Sequence, residues 1–240
     1  MHTFDASRIY IALDTSSVEQ ARAFVRELAP TGVGFKVGMQ LFYQSGPAFV
    51  KELTAQGLQV FLDLKFHDIP NTVAGAVQSI GELGAAICNV HVAGGLEMMK
   101  RARQAADALA QRAGKRPQVI GVTQLTSTSR EMMNEEVGIP GDVQDVVIRY
   151  ALLAQTAGLD GVVASGHEVR GIREACGDDF VTVIPGIRLA ANDSALIHDQ
   201  KRVMTPHEAF QEGAHAIVIG RAVTQAAEPR ATVEQILAAL

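Results

Sequence analysis

The feature that most constrains this chain is the repeated appearance of short, Val- and Ile-rich apolar runs along its whole length. They are Arg8–Asp14, Val33–Val37, Leu58–Leu64, Ala86–Val92, Gln118–Gln124, Gly161–Ala164, Phe180–Pro185 and His215–Gly220. Both faces of each run are mostly apolar, as in a strand buried on both sides. Segments with helical spacing lie between them. Ser17 to Leu28 opens on a Ser cap and sets Val18, Ala21, Phe24, Val25 and Leu28 along one face. Leu96 to Ala113 is Ala-rich and stops at Gly114, and Val143 to Ala157 stops in the same way at Gly158. Thr205-Pro206-His207-Glu208 reads as a capping box with Pro at the first helical position, and Thr232 to Leu240 reads as a last amphipathic helix.

Strands alternating with helices in this number predict an α/β fold, a (β/α)8 TIM barrel formed as a single domain over residues 1–240. An open doubly wound sheet is the alternative. A length of 240 residues suits one such barrel, and 48% hydrophobic against 20% charged residues is enough to bury a sizeable core. The net charge of −5, with no long basic run, argues against a nucleic-acid binder held by phosphate electrostatics. No uncharged apolar run is long enough to span a bilayer, and Met1 to Tyr10 carries Asp5 and Arg8 where a signal peptide needs an apolar stretch. Cys88 and Cys176 are far apart and form no CxxC pair, so a thiol redox or Cys-rich zinc site is not expected. A cytoplasmic protein is the expectation.

In a barrel of this kind the C-terminal ends of the strands build the active site. Those ends carry Asp14, Lys36, Asp63 with Lys65, His91, Thr126, Arg188 and Arg221. Asp63 and Lys65 are two apart on one strand, so they share a side with Phe61, while Leu62 and Leu64 take the other. Taken alone, an Asp-x-Lys pair is better explained by a structural salt bridge. Lys36, facing the same cavity from the second strand, turns the pair into a cluster. Ile184-Pro185-Gly186-Ile187-Arg188 and Ala216-Ile217-Val218-Ile219-Gly220-Arg221 end the last two strands with glycine and arginine. Barrel enzymes commonly hold phosphate there, with glycine admitting the anion to backbone N–H groups and Arg adding charged hydrogen bonds. Surface arginines paired with nearby acids are the plainer alternative. Leu189 to Arg202 is long, polar and without strand pattern, as a lid would be. His91 is expected to be a structural histidine, His67 to lie in a turn, and Met98 and Met99 to pack a helix.

The stretch Asp63-Leu-Lys65-Phe-His-Asp68-Ile69-Pro70-Asn71-Thr72 resembles the signature of the orotidine 5′-phosphate decarboxylase family in its bacterial form. Further matching pieces follow in the family's order. They are Ile11–Asp14, Phe35–Gly38, Leu125–Ser127, Pro185–Arg188, Asp199–Pro206 and Ile219–Arg221. The resemblance implies cofactor-free conversion of orotidine 5′-monophosphate (OMP) to uridine 5′-monophosphate (UMP) and CO2. It implies a Lys36–Asp63–Lys65–Asp68 catalytic network in a homodimer with shared sites. Asp68 then comes from the partner subunit, as does Thr72, which reaches the ribose, and Ile69 is implied among the substrate-binding residues. Asp14 is implied at a ribose hydroxyl and Thr126 at the pyrimidine edge. Arg188, Gln200, Gly220 and Arg221 are implied at the phosphate, with Gln200 on the mobile loop. No metal or other cofactor is implied. Two other readings remain: a magnesium-dependent sugar-phosphate decarboxylase sharing the D-x-K-x-x-D core, and a non-catalytic phosphate-binding barrel.

Overall fold

Eight parallel strands close on themselves in sequence order, β8 pairing with β1, in a computed structural model that describes residues 4–189 and 204–240. The strands are β1 (Ile9–Ala12), β2 (Gly34–Gly38), β3 (Val60–Phe66), β4 (Ile87–His91), β5 (Gln118–Val122), β6 (Gly161–Val163), β7 (Val181–Ile184) and β8 (Ala216–Ile219). Each overlaps one of the apolar runs. The first run overshoots its ladder, so that Asp14 stands on the loop above β1, while Thr126 and Arg188 lie past β5 and β7 as expected. Parallel neighbours need a crossover. It is made by α1 (Val18–Leu28), α2 (Met39–Ala55), α3 (Pro70–Gly81), α4 (Gly95–Ala113), α5 (Val143–Thr156), α6 (Val169–Cys176) and α7 (Pro206–Gln211). After β8 the chain adds α8 (Arg221–Thr224) and α9 (Pro229–Ala238).

Local signals explain several boundaries. The Ser17 hydroxyl accepts the Gln20 N–H at the start of α1. Gly114 closes α4 in the left-handed region at φ 72°. Thr205 and Glu208 form the expected reciprocal capping box, with Pro206 at the first turn of α7. Helix α2 escapes a periodicity reading because Gly46, at φ 66°, breaks it just before Pro47. Helix α3 escapes it because Pro70 opens it directly from the site motif.

Two apolar layers divide along the strands with period two. Ile9, Ile11, Phe35, Leu62, Cys88 and Ile217 face outward into the shell between strands and helices. Tyr10, Ala12, Phe61, Ile87, Ile120, Val183 and Val218 fill the barrel. The Tyr10 and Phe61 rings meet edge-on with centroids 6.1 Å apart. That packing dictates a glycine opposite: a Cβ on Gly34 would come within 2.7 Å of Tyr10 Cε1. At the N-terminal end, Asp160 accepts the Val119 N–H at 2.8 Å and pairs with Arg116 at 2.7 Å, tying β5 to the start of β6. This leaves the opposite end for chemistry. No helix among the described residues is long and apolar enough to cross a membrane.

Candidate active site

The C-terminal mouth of the barrel holds a cavity of about 460 Å³ lined by Asp14, Lys36, Asp63, Lys65, Arg188 and Arg221. These are the charged strand-end residues expected from the sequence, and they converge on one space. Ala12, Phe61, Val122, Val163 and Val218 supply its apolar lining from the strands beneath. Thr126 and Ser127 line the β5 side and Gly220 the β8 side. A pocket of this size with an apolar base and a few convergent charges suits a small charged ligand.

The acids and lysines alternate. Lys36 Nζ donates to Asp14 Oδ1 at 2.9 Å and stands 3.4 Å from Asp63 Oδ2. Lys65 Nζ donates to Asp63 Oδ1 at 2.6 Å. Asp63 and Lys36 are buried, and burial by itself opposes charge on both. For Asp63, burial pushes the carboxyl up, but the Lys36 and Lys65 ammonium groups outweigh it and hold the group below the ordinary carboxylate value. For Lys36, burial pulls downward, but Asp63 and Asp14 outweigh it and hold the ammonium above the ordinary lysine value. Each buried charge is thus kept ionised by its neighbours. Gly38 makes room for the cluster, since a Cβ there would lie 3.1 Å from Lys36 Nζ.

Lys65 reaches this position by a route that strand alternation does not foresee. Phe61 and Leu62 pair with Ile87 and Cys88, but Phe66 pairs with Val90, so the register slips by two residues between Leu62 and Phe66. Within the slip Lys65 takes φ 51°, the one non-glycine residue with positive φ among the described residues. That conformation is uncommon for lysine and needs support from its surroundings. Asn89 provides it. Its Oδ1 accepts the Lys65 backbone N–H at 2.8 Å, and its Nδ2 donates to Asp63 Oδ1 at 2.7 Å. Sequence reasoning missed Asn89. The available signal was a polar residue inside an apolar strand, on the same parity as Ile87 and His91.

The glycine- and arginine-bearing ends of β7 and β8 border the same cavity. Gly186 adopts φ 79°, a turn that glycine enters without strain, and carries the chain to Arg188. Gly220 leads directly into Arg221 at the start of α8. A Cβ on Gly220 would make ordinary contact, 3.7 Å to Ala12 and 3.8 Å to Asp14 Oδ2. Packing within the chain therefore does not demand this glycine, and its bare face opens on the cavity. Asp68, Ile69 and Thr72 do not line the cavity of their own chain. The Asp68 carboxylate accepts the Ile69 N–H at 2.6 Å, and Ile69 is 68% exposed. Gln200, and the expected lid apart from Leu189, lie outside the described residues. His67 follows β3, as expected for a turn residue, and its ring lies 5.4 Å from that of His91. Neither histidine lines the cavity. Burial, with His67 and Lys65 nearby, holds His91 below the ordinary imidazole value. Met98 and Met99 are buried in the core, as expected.

A profile of the family described as Orotidine 5′-phosphate decarboxylase / HUMPS matches residues 7–236. The chain belongs to this family. The orotidine 5′-phosphate decarboxylase of Moorella thermoacetica is 49% identical over 99% of this chain and 93% of its own. That of Geobacillus sp. (strain WCH70) is 47% identical over 94% of this chain and 93% of its own. Among solved structures, the orotidine 5′-phosphate decarboxylase of Lactobacillus acidophilus superposes with a TM-score of 0.85 at 38% identity, covering 96% of this chain and 97% of that one. An uncharacterized conserved protein from Geobacillus kaustophilus gives 0.82 at 42% identity, covering 95% and 97%. In this member of the family, the D-x-K-x-x-D motif divides. Asp63 and Lys65 enter the cavity and Asp68 does not.

Proposed function

We propose that this family member converts OMP to UMP and CO2 without a cofactor, as the last step of UMP synthesis. The observation that carries this reading is the Lys65 ammonium, held 2.6 Å from Asp63, in a cavity that also receives Arg188 and Arg221. Near full-length similarity to proteins named orotidine 5′-phosphate decarboxylase supports the choice of substrate.

The reaction breaks the bond between C6 of the pyrimidine and its carboxylate. The electron pair left on C6 lies in the ring plane, where resonance stabilises it little, so the stabilisation must be electrostatic and already in place. Lys65 supplies it. Its ammonium faces the developing charge, then passes a proton to C6 to give UMP and is reprotonated from solvent. Asp63 orients Lys65 and stands beside the departing carboxylate. Lys36 keeps Asp63 ionised and links it to Asp14, which is placed to hold a ribose hydroxyl. Arg188 and Arg221, with Gly220 and with Gln200 of the loop, bind the phosphate, and Thr126 meets the pyrimidine edge. The phosphate takes no part in bond breaking, but its binding energy organises the charged cluster.

Both carboxylates at the mouth are already bridged by lysine ammonium groups, which supports a metal-free reaction over a magnesium-dependent one. The protein works as a homodimer in the cytoplasm, with Asp68, Ile69 and Thr72 entering the partner's cavity. The exposure of Ile69 next to Asp68 supports this. Incubation with OMP in excess EDTA, followed by product analysis, tests the assignment. Stoichiometric UMP and CO2 are expected, and intact OMP would refute it.

A further inference from the structure

Asn89 is a neutral residue almost enclosed by the barrel, at 1% exposure, yet both ends of its carboxamide are committed to the charged cluster. Its orientation follows from its partners. A backbone N–H only donates, so the atom facing Lys65 must be the oxygen. An ionised carboxylate only accepts, so the atom facing Asp63 must be the nitrogen. The two bonds act at different levels. One replaces the ladder bond that Lys65 loses where β3 slips against β4, holding a backbone at φ 51°. The other fixes the Asp63 oxygen that receives the Lys65 ammonium. One side chain therefore controls where the lysine backbone starts and where its ammonium ends. Asn89 is not among the residues that line the cavity, so its influence on a ligand is indirect.

We propose that Asn89 is a positioning residue, whose carboxamide pins the left-handed backbone of Lys65 and orients Asp63 so that the ammonium meets the reacting carbon in one arrangement. This rests on the decarboxylase reading, and the test separates the two. Asn89→Leu keeps the branched outline of the side chain, with added bulk, and removes both hydrogen bonds. With active sites counted by UMP titration, kcat should fall about 10²-fold while KM for OMP stays within about threefold. Loss of a hydrogen bond to its charged form also raises the Asp63 pKa, so the acid limb of the kcat profile should move to higher pH. A purely structural role would lower the fraction of active sites and leave kcat per site and the limb in place. If Asn89→Leu does not fold, Asn89→Asp carries the same test. It retains the shape and the acceptor for the Lys65 N–H but sets a carboxylate against Asp63, and a comparable loss of kcat with UMP binding retained is expected. Wild-type kcat in either folded variant, beside an active wild type, overturns the role of Asn89 alone. A wild type that leaves OMP intact overturns both readings.

Discussion

Asp63 divides its two carboxylate oxygens between two lysines. Oδ1 receives the Lys65 ammonium at 2.6 Å and Oδ2 faces the Lys36 ammonium at 3.4 Å. The two cations are thereby held at one mouth of the barrel by a shared carboxylate. An ammonium carries three N–H donors, so Lys65 can donate to Asp63 and to a ligand at once.

Asp63→Asn should remove the hinge of this arrangement. The loss of kcat should reach at least about 10²-fold, because Lys65 loses both its orienting partner and its local field. Steady-state assay with OMP, alongside UMP titration to count sites, measures it. Unchanged kcat would remove Asp63 from the mechanism.

Stability should depend on pH at both ends of the scale. The Asp63 carboxyl lies below its ordinary 3.8 in the folded chain, so its contribution is present above that value and fades as pH falls through the folded pKa. Lys36 lies above its ordinary 10.5, so its contribution is present below that value and fades as pH rises through the folded pKa. Urea midpoints across pH should show a plateau between these limits. Asp63→Asn should flatten the acid edge and Lys36→Met the alkaline edge. An unaltered profile in both variants would contradict the ionised cluster.

Arg221→Ala and Arg188→Ala should each act chiefly on binding. Loss of a charged hydrogen bond to phosphate should raise KM for OMP roughly 10- to 100-fold per arginine. The nucleoside orotidine, without phosphate, should lose turnover as well as affinity. Calorimetry with UMP and single-turnover rates on orotidine check the two statements, and wild-type UMP affinity in both arginine variants would displace the phosphate assignment.

Inside the barrel, Gly161→Ala should destabilise the fold without touching the cavity. A Cβ there would run into the Val181 backbone carbonyl on the neighbouring strand, which has little freedom to retreat. The cost should be about 1–3 kcal/mol, read from urea unfolding. A neutral substitution would mean that β6 and β7 separate more easily than the paired register implies.

Much of this site was legible in the residues because charge is conspicuous inside apolar strands. Asp63 and Lys65 stood out against Phe61, Leu62 and Leu64, and strand-end counting brought Asp14, Lys36, Arg188 and Arg221 to the same mouth. Asn89 was hidden because a neutral amide within a Cys-Asn-Val run raises no electrostatic alarm, although period two sets it facing inward. The slip in β3 was hidden for another reason. The left-handed residue is a lysine, and without glycine or asparagine at that position no local signal marks the turn. In the shell, α2 was masked by Gly46-Pro47, where one helical stretch ends and a second begins within the same crossover.

The central claim is that the Lys65 ammonium delivers the proton that replaces CO2 on C6. Turnover of OMP in deuterated buffer containing excess EDTA, with wild type and Lys65→Ala compared by NMR of the product, tests it most directly. The account predicts UMP carrying deuterium at C6 from the wild type, and UMP formation lowered by more than about 10³-fold in Lys65→Ala. Near-normal release of CO2 with C6 correctly deuterated in the variant would contradict it.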